Sequence, residues 1–185
     1  MSMFSERTTL KDNSRNLSYA DAHCHLLPDY FEMNEVTELS KKALENGVKI
    51  IVNSAVNPEN YQFGLDTTKL EGMYLAVGYE TTKIIEERYK QLIAFYEAHK
   101  ESIKAIGEVG LDFHWIKETD KRELQIEYFG KIIDYTLGKE IPLVIHSRGA
   151  ESKTIEILKQ KGAEDVLMHC FEGDEEQAKE ISRLS

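Results

Sequence analysis

Short β-branched runs alternate with amphipathic stretches from Tyr19 to the end of the chain. The runs predict strands at Tyr19–His23, Lys49–Asn53, Met73–Val77, Ile103–Glu108, Leu143–His146 and Val166–His169. Most are near-continuous apolar segments, as expected for strands buried on both faces of a parallel sheet. Between them, apolar residues recur at helical spacing. Ile85, Tyr89, Leu92 and Tyr96 share one helix face, as do Leu124, Tyr128, Ile132 and Tyr135. Asn34 is the expected N-cap of an earlier helix carrying Val36, Leu39 and Ala43, with Gly47 as its stop. Ile155 and Leu158 before Gly162 predict a shorter helix. A last helix is expected from Asp174 to about Leu184, its acidic opening suiting the positive N-terminal end of the helix dipole. The aromatic stripes need no cofactor to explain them, because helix burial alone requires that spacing.

The strand ends fall near His25, Asn53, Gly78, Glu108, His146 and His169, spaced by roughly 23 to 38 residues. This is a β-α unit repeated about six times, and it predicts a parallel sheet with helices outside. An open doubly wound sheet and a β/α barrel both satisfy it. A complete barrel takes eight units and about 250 residues. The 185 residues give room for six, so the barrel expected here is incomplete.

Composition narrows the function classes. Hydrophobic residues make up 41%, enough for a full core. The net charge of −10 argues against coating nucleic acid through bulk charge, though not against holding a phosphate through metal ions. Apolar runs such as Ile141–Ile145 are far shorter than the roughly 20 residues of a membrane span, so no membrane partner is expected. The stretch 1–18 is polar, with no apolar segment of signal-peptide type, and is expected to be an N-terminal extension ahead of one domain over 19–185. Two cysteines make no disulfide framework, so a reducing, cytoplasmic location is expected.

The histidines favour the barrel. His23, His25, His146 and His169 lie at the C-terminal ends of predicted strands, and Glu108 ends another. Residues i and i+2 of a strand face the same side, so the imidazoles of His23 and His25 can converge on one ion. The C-terminal rim is where β/α barrels build active sites. Five N/O ligands from four strand ends suit zinc, manganese or magnesium with carboxylate sharing. One such histidine is ordinarily a satisfied core residue; the repetition of position is what points to a metal.

Four motifs then carry a resemblance to the TatD family of metal-dependent deoxyribonucleases, within the amidohydrolase superfamily. They are Asp21-Ala-His-Cys-His25, Gly107-Glu-Val-Gly-Leu-Asp112, Ile145-His-Ser-Arg148 and His169-Cys-Phe-Glu-Gly173, with Gln125 and Phe129 also matching. The resemblance implies a TIM-type (β/α) barrel holding two divalent metal ions and hydrolysing DNA or another phosphodiester from an end. By that resemblance His23 and His25 hold one metal, His146 and His169 the other, and Glu108 bridges both as the catalytic centre. Arg148 is expected either to grip a phosphate oxygen or to form a surface salt bridge. Asp112 either orients a ligand histidine or caps its loop.

The chain also departs from the family pattern. After the third strand it reads Gly78-Tyr-Glu-Thr-Thr82, with Tyr79 near the place of the usual histidine. The family carries a further metal-binding aspartate at strand eight, the natural proton shuttle, and two further β-α units that this sequence does not contain. A partner supplying those strands, or self-association, is therefore expected. So are two rival readings: a non-catalytic remnant or half of an assembly, and an amidohydrolase acting on another ester or amide. Cys24 and Cys170 are expected to be small buried residues turned away from the metals, and Trp115 to pack its loop on the barrel although it could stack on a base.

Overall fold

The computed structural model describes residues 18–184, so the polar extension expected over 1–18 lies outside the described residues except for Ser18. Six strands alternate with six helices. In chain order they are β1 (Tyr19–Cys24), α1 (Met33–Glu45), β2 (Val48–Ala55), α2 (Pro58–Thr67), β3 (Met73–Val77), α3 (Glu86–His99), β4 (Ile103–Asp112), α4 (Thr119–Thr136), β5 (Leu143–Arg148), α5 (Glu151–Lys161), β6 (Val166–Met168) and α6 (Glu175–Ile181). The strands pair in parallel in the order β1-β2-β3-β4-β5-β6, each with its sequence neighbour. The sheet curls as an open, incomplete barrel with β1 and β6 at its edges.

Strand alternation divides the apolar residues between two layers. Leu75 and Val77 of β3, Ile106 and Val109 of β4 and Ile145 of β5 turn toward the helices, where they pack with Leu92, Phe129, Ile132 and Leu158. The opposite face carries small or branched residues, Ala76, Ala105 and Val144, with Val52 against them. That inner face is only partly covered. Ile50 and Tyr74 stay 44% and 38% exposed, and Leu167, paired in register with Val144, stays 37% exposed.

One expectation is corrected, and one helix takes a place that its own residues mark poorly. Helix α1 is capped by Glu32 rather than Asn34: the Glu32 N–H donates to the Glu35 carboxylate at 2.8 Å, half of a capping box. Helix α2 stands where the β-α repeat places a helix, although Tyr61, Phe63 and Leu65 form no single apolar stripe and divide between two parts of the core. It starts on Pro58, pre-set for a first helical position, and lays Gly64 directly against Leu75 and Ala55. Helix α6 begins as expected, with the Asp174 carboxylate accepting the Gln177 N–H at 2.9 Å.

Close strand approach around Glu108 depends on glycine. Gly110 has φ +142°, and a Cβ there would lie 2.1 Å from the His146 carbonyl oxygen. A Cβ on Gly78 would lie 2.1 Å from the Glu108 carbonyl oxygen. Only glycine lets β3 and β5 close on β4 where the carboxylate must reach across the barrel.

Candidate metal centre

His23, His25, Glu108, His146 and His169 meet at the C-terminal rim, in two groups that share Glu108. On one side, Glu108 Oε2 lies 3.3 Å from Nε2 of both His23 and His25, and those nitrogens are 3.2 Å apart. On the other, Glu108 Oε1 lies 2.6 Å from His146 Nδ1 and 2.8 Å from His169 Nε2, which are 3.4 Å apart. The first triangle is nearly equilateral. Its edge matches the roughly 3.3 Å between ligands on a tetrahedral ion with bonds of about 2.0 Å.

The outer nitrogens decide which atoms are free to bind. The Ser54 carbonyl lies 2.8 Å from His25 Nδ1, and a carbonyl only accepts, so His25 carries hydrogen there and turns the Nε2 lone pair to the centre. Ser54 Oγ lies 3.1 Å from His23 Nδ1 and fixes that ring as well. Asp112 Oδ2 lies 3.2 Å from His146 Nε2, which leaves Nδ1 facing Glu108. Asp112 Oδ1 also accepts the Trp115 N–H at 2.8 Å, so this carboxylate braces both a histidine and a loop. Gln125, fully buried in α4, accepts the Asp112 N–H at 2.8 Å and holds that residue in place. His169 Nδ1 is buried without a partner.

Four imidazole nitrogens thus converge on one carboxylate, and this arrangement is unbalanced without cations. Burial favours a neutral Glu108, but hydrogen bonds from His146, His169, His23 and His25 outweigh it and hold the carboxyl well below its usual range. The Glu108 hydrogen bond raises His25 above the ordinary histidine value. His146 is pushed down by burial and pulled up further by Glu108 and Asp112, with a net rise. Two divalent cations would replace these shared protons, so the residues present fit the implied metals. The donor set is rich in imidazole, which suits zinc or manganese better than magnesium.

The signs give a testable result. Protonated His25 and His146 paired with Glu108 stabilise the metal-free fold. That contribution is complete below the unfolded histidine value of about 6.5 and fades as pH rises through the raised folded values. Metal needs the same nitrogens deprotonated. Zinc or manganese at 100 times Kd is therefore expected to add about 2.7 kcal/mol at pH 8, or roughly 5–10 °C in Tm, and little at pH 5.5. Thermal denaturation at the two pH values checks this; an equal gain at both would place the metal elsewhere.

Other residues take places the sequence does not fix. Arg148 makes no ion pair within 4 Å among the described residues; its guanidinium carbon lies 5.6 Å from the Trp115 ring centroid. Cys24 turns from the site toward the sheet–helix layer beside Ile51 and Val36, as expected, and burial pushes its thiol up to about 12. Cys170 is exposed, against expectation, because the chain turns there with φ +45° instead of continuing β6. Tyr79 is 1% exposed, packs with the core between sheet and helices, and also lines the hollow that contains His25, Glu108 and His146. Trp115 is 64% exposed and does not pack its loop on the barrel. Ser54 was not anticipated, although its place at the end of β2 is equivalent to that of the ligands.

A curled parallel β/α sheet bearing two His/Glu groups of metal-ligand type on its C-terminal rim defines a barrel of the metal-dependent hydrolase class. More narrowly, the chain belongs to the TatD related DNase family, whose model matches residues 20–185. It is 34% identical over 175 residues to an uncharacterized metal-dependent hydrolase of Methanocaldococcus jannaschii, covering 91% of this chain and 66% of that protein. It is 30% identical over 169 residues to the uncharacterized metal-dependent hydrolase YabD of Bacillus subtilis, covering 89% and 65%. The crystal structure of YJJV, a TatD homolog from Escherichia coli K12, superposes with a TM-score of 0.75 at 25% identity, covering 90% of this chain and 65% of that one. The chain thus spans just under two thirds of the length of these relatives.

Proposed function

We propose that this chain carries the greater part of a two-metal phosphodiesterase site that cleaves DNA from an end. The observation behind the reading is the division of one carboxylate between two histidine pairs, His23 with His25 and His146 with His169. In this reading His23 and His25 would hold one divalent cation and His146 and His169 a second, zinc, manganese or magnesium, with Glu108 shared between the two groups. Cations so held supply charge that polarises a phosphodiester and lowers the pKa of water. Ser54 and Asp112 hold the ligand rings in the binding tautomer. Arg148, with its guanidinium free of ion pairs among the described residues, is the group that meets a phosphate oxygen. The hollow over the centre has a volume of about 230 Å³, small beside the roughly 300–1,000 Å³ of ordinary ligand pockets. It suits one nucleotide unit at a flexible end better than a duplex.

The open edges support a further element. Among the described residues, strands β1 and β6 each pair on one side only, and the apolar residues Ile50, Tyr74 and Leu167 are left uncovered on the inner face. Two more β-α units, from a continuation of the chain or from a partner, would cover that face and close the barrel. No helix among the described residues is long and apolar enough to cross a membrane. The free thiols Cys24 and Cys170 fit a reducing cytoplasmic setting.

The test is cleavage of an end-labelled single-stranded oligonucleotide with manganese or zinc, with and without EDTA. Stepwise shortening that stops on chelation is the expected result. Shortening that persists in EDTA would remove the metal mechanism, and cleavage of an ester or amide in preference to the oligonucleotide would favour an amidohydrolase.

A further inference from the structure

Trp115 has a placement that the metal site does not by itself explain. It is 64% exposed, yet it stands in the wall of the hollow that also contains His25, Glu108 and His146. An indole left to water loses the burial that ordinarily accounts for a tryptophan in a loop. Nor is its position loose. The Trp115 N–H is held by Asp112 Oδ1 at 2.8 Å, and the other oxygen of that carboxylate faces His146 at 3.2 Å. That N–H is the main-chain one, so a single carboxylate ties the loop backbone at Trp115 to a ligand of the metal centre. Arg148 lies within cation–π range of the ring, and His114 meets it edge-on with centroids 4.7 Å apart.

We infer that Trp115 is the stacking platform for a nucleobase of a single-stranded substrate whose phosphodiester lies over Glu108. This deepens the nuclease reading and rests on it. An exposed aromatic beside a cation is how single strands are held without reading sequence: the base lies on the ring and the phosphate meets the cation. Here the cation is Arg148, so one loop and one strand end would hold both parts of a nucleotide. A duplex cannot offer this contact, because its bases are already stacked on each other. The arrangement therefore selects an unpaired end, and it is expected to tolerate any base.

Trp115 is the sole tryptophan of the chain, so its fluorescence reports the contact directly. The experiment titrates the full chain, loaded with zinc or manganese, with a single-stranded oligonucleotide and with the same oligonucleotide carrying abasic sites at its end. Cleavage of both is measured for the parent, W115F and W115A. The intact strand is expected to quench fluorescence and the abasic strand to leave it unchanged. W115A is expected to raise KM for the intact strand about 5- to 150-fold with kcat little changed, and W115F to retain most of the affinity. The parent should lose a similar factor on abasic substrate, and W115A should lose none further, which a merely structural role would not produce. Unchanged fluorescence together with equal KM for both strands overturns stacking while leaving metal-dependent cleavage standing. If the loaded chain neither binds nor cuts either strand, the nuclease reading falls and the platform with it.

Discussion

Replacing Glu108 with Ala is expected to abolish hydrolysis, by at least about 10³-fold, while leaving the fold intact. The size follows from position. One oxygen of Glu108 faces His23 and His25 at 3.3 Å, and the other faces His146 and His169 at 2.6 and 2.8 Å. Removing it takes the shared ligand from both groups, so each metal would keep only two protein ligands here. Loss of affinity should exceed the roughly 10–100-fold typical of a partner that only orients a ligand. Glu108→Gln is the sharper variant. It keeps the volume, but a neutral amide cannot balance two cations or bridge them. Isothermal titration with zinc should show two sites in the parent and weak, incomplete binding in both variants. Circular dichroism should be unchanged, since Glu108 faces the pocket rather than the packed layer between sheet and helices. Full activity in Glu108→Gln would exclude the two-metal reading.

The second large effect concerns closure of the barrel. The 185-residue chain is expected to turn over an oligonucleotide about 10²–10⁴-fold more slowly than a version extended by the last two β-α units of a relative. That is the usual worth of general acid–base help, which the resemblance places on a strand-eight aspartate. The extension should also change the solution state. With β1 and β6 unpaired on their outer sides and Ile50, Tyr74 and Leu167 uncovered among the described residues, the short chain is expected to self-associate, and the extended one to be monodisperse. Light scattering and the cleavage assay, run on the same two preparations, test the two parts together. Equal turnover and equal dispersity would show that β1 and β6 need no covering and that the catalytic groups have been misplaced.

The series of parallel strands and the identity of the five converging residues are legible in the order of the amino acids. Each strand is a short apolar β-branched run, and each ligand ends such a run, so period and position are both local properties. Helices are delimited locally wherever an apolar stripe of several residues exists, as in α3 and α4, whereas α2 follows only from the β-α repeat, because Tyr61, Phe63 and Leu65 share no single face. Tertiary structure alone decided the rest. Ser54 holds His23 and His25 from 31 and 29 residues away, and Gln125 holds Asp112 from another element, contacts that no local pattern encodes. Tyr79, just past β3, is placed against the hollow by the hydrogen bond from its N–H to the Glu108 carbonyl at 3.0 Å. Cys170 is exposed because the chain turns with positive φ after β6. The loop backbone at Trp115 is held beside the pocket because Asp112 accepts its main-chain N–H. Residue type supplies the chemistry of a side chain, but its direction depends on the hydrogen bonds and packing of segments distant in the chain, and these exist only once the sheet has formed.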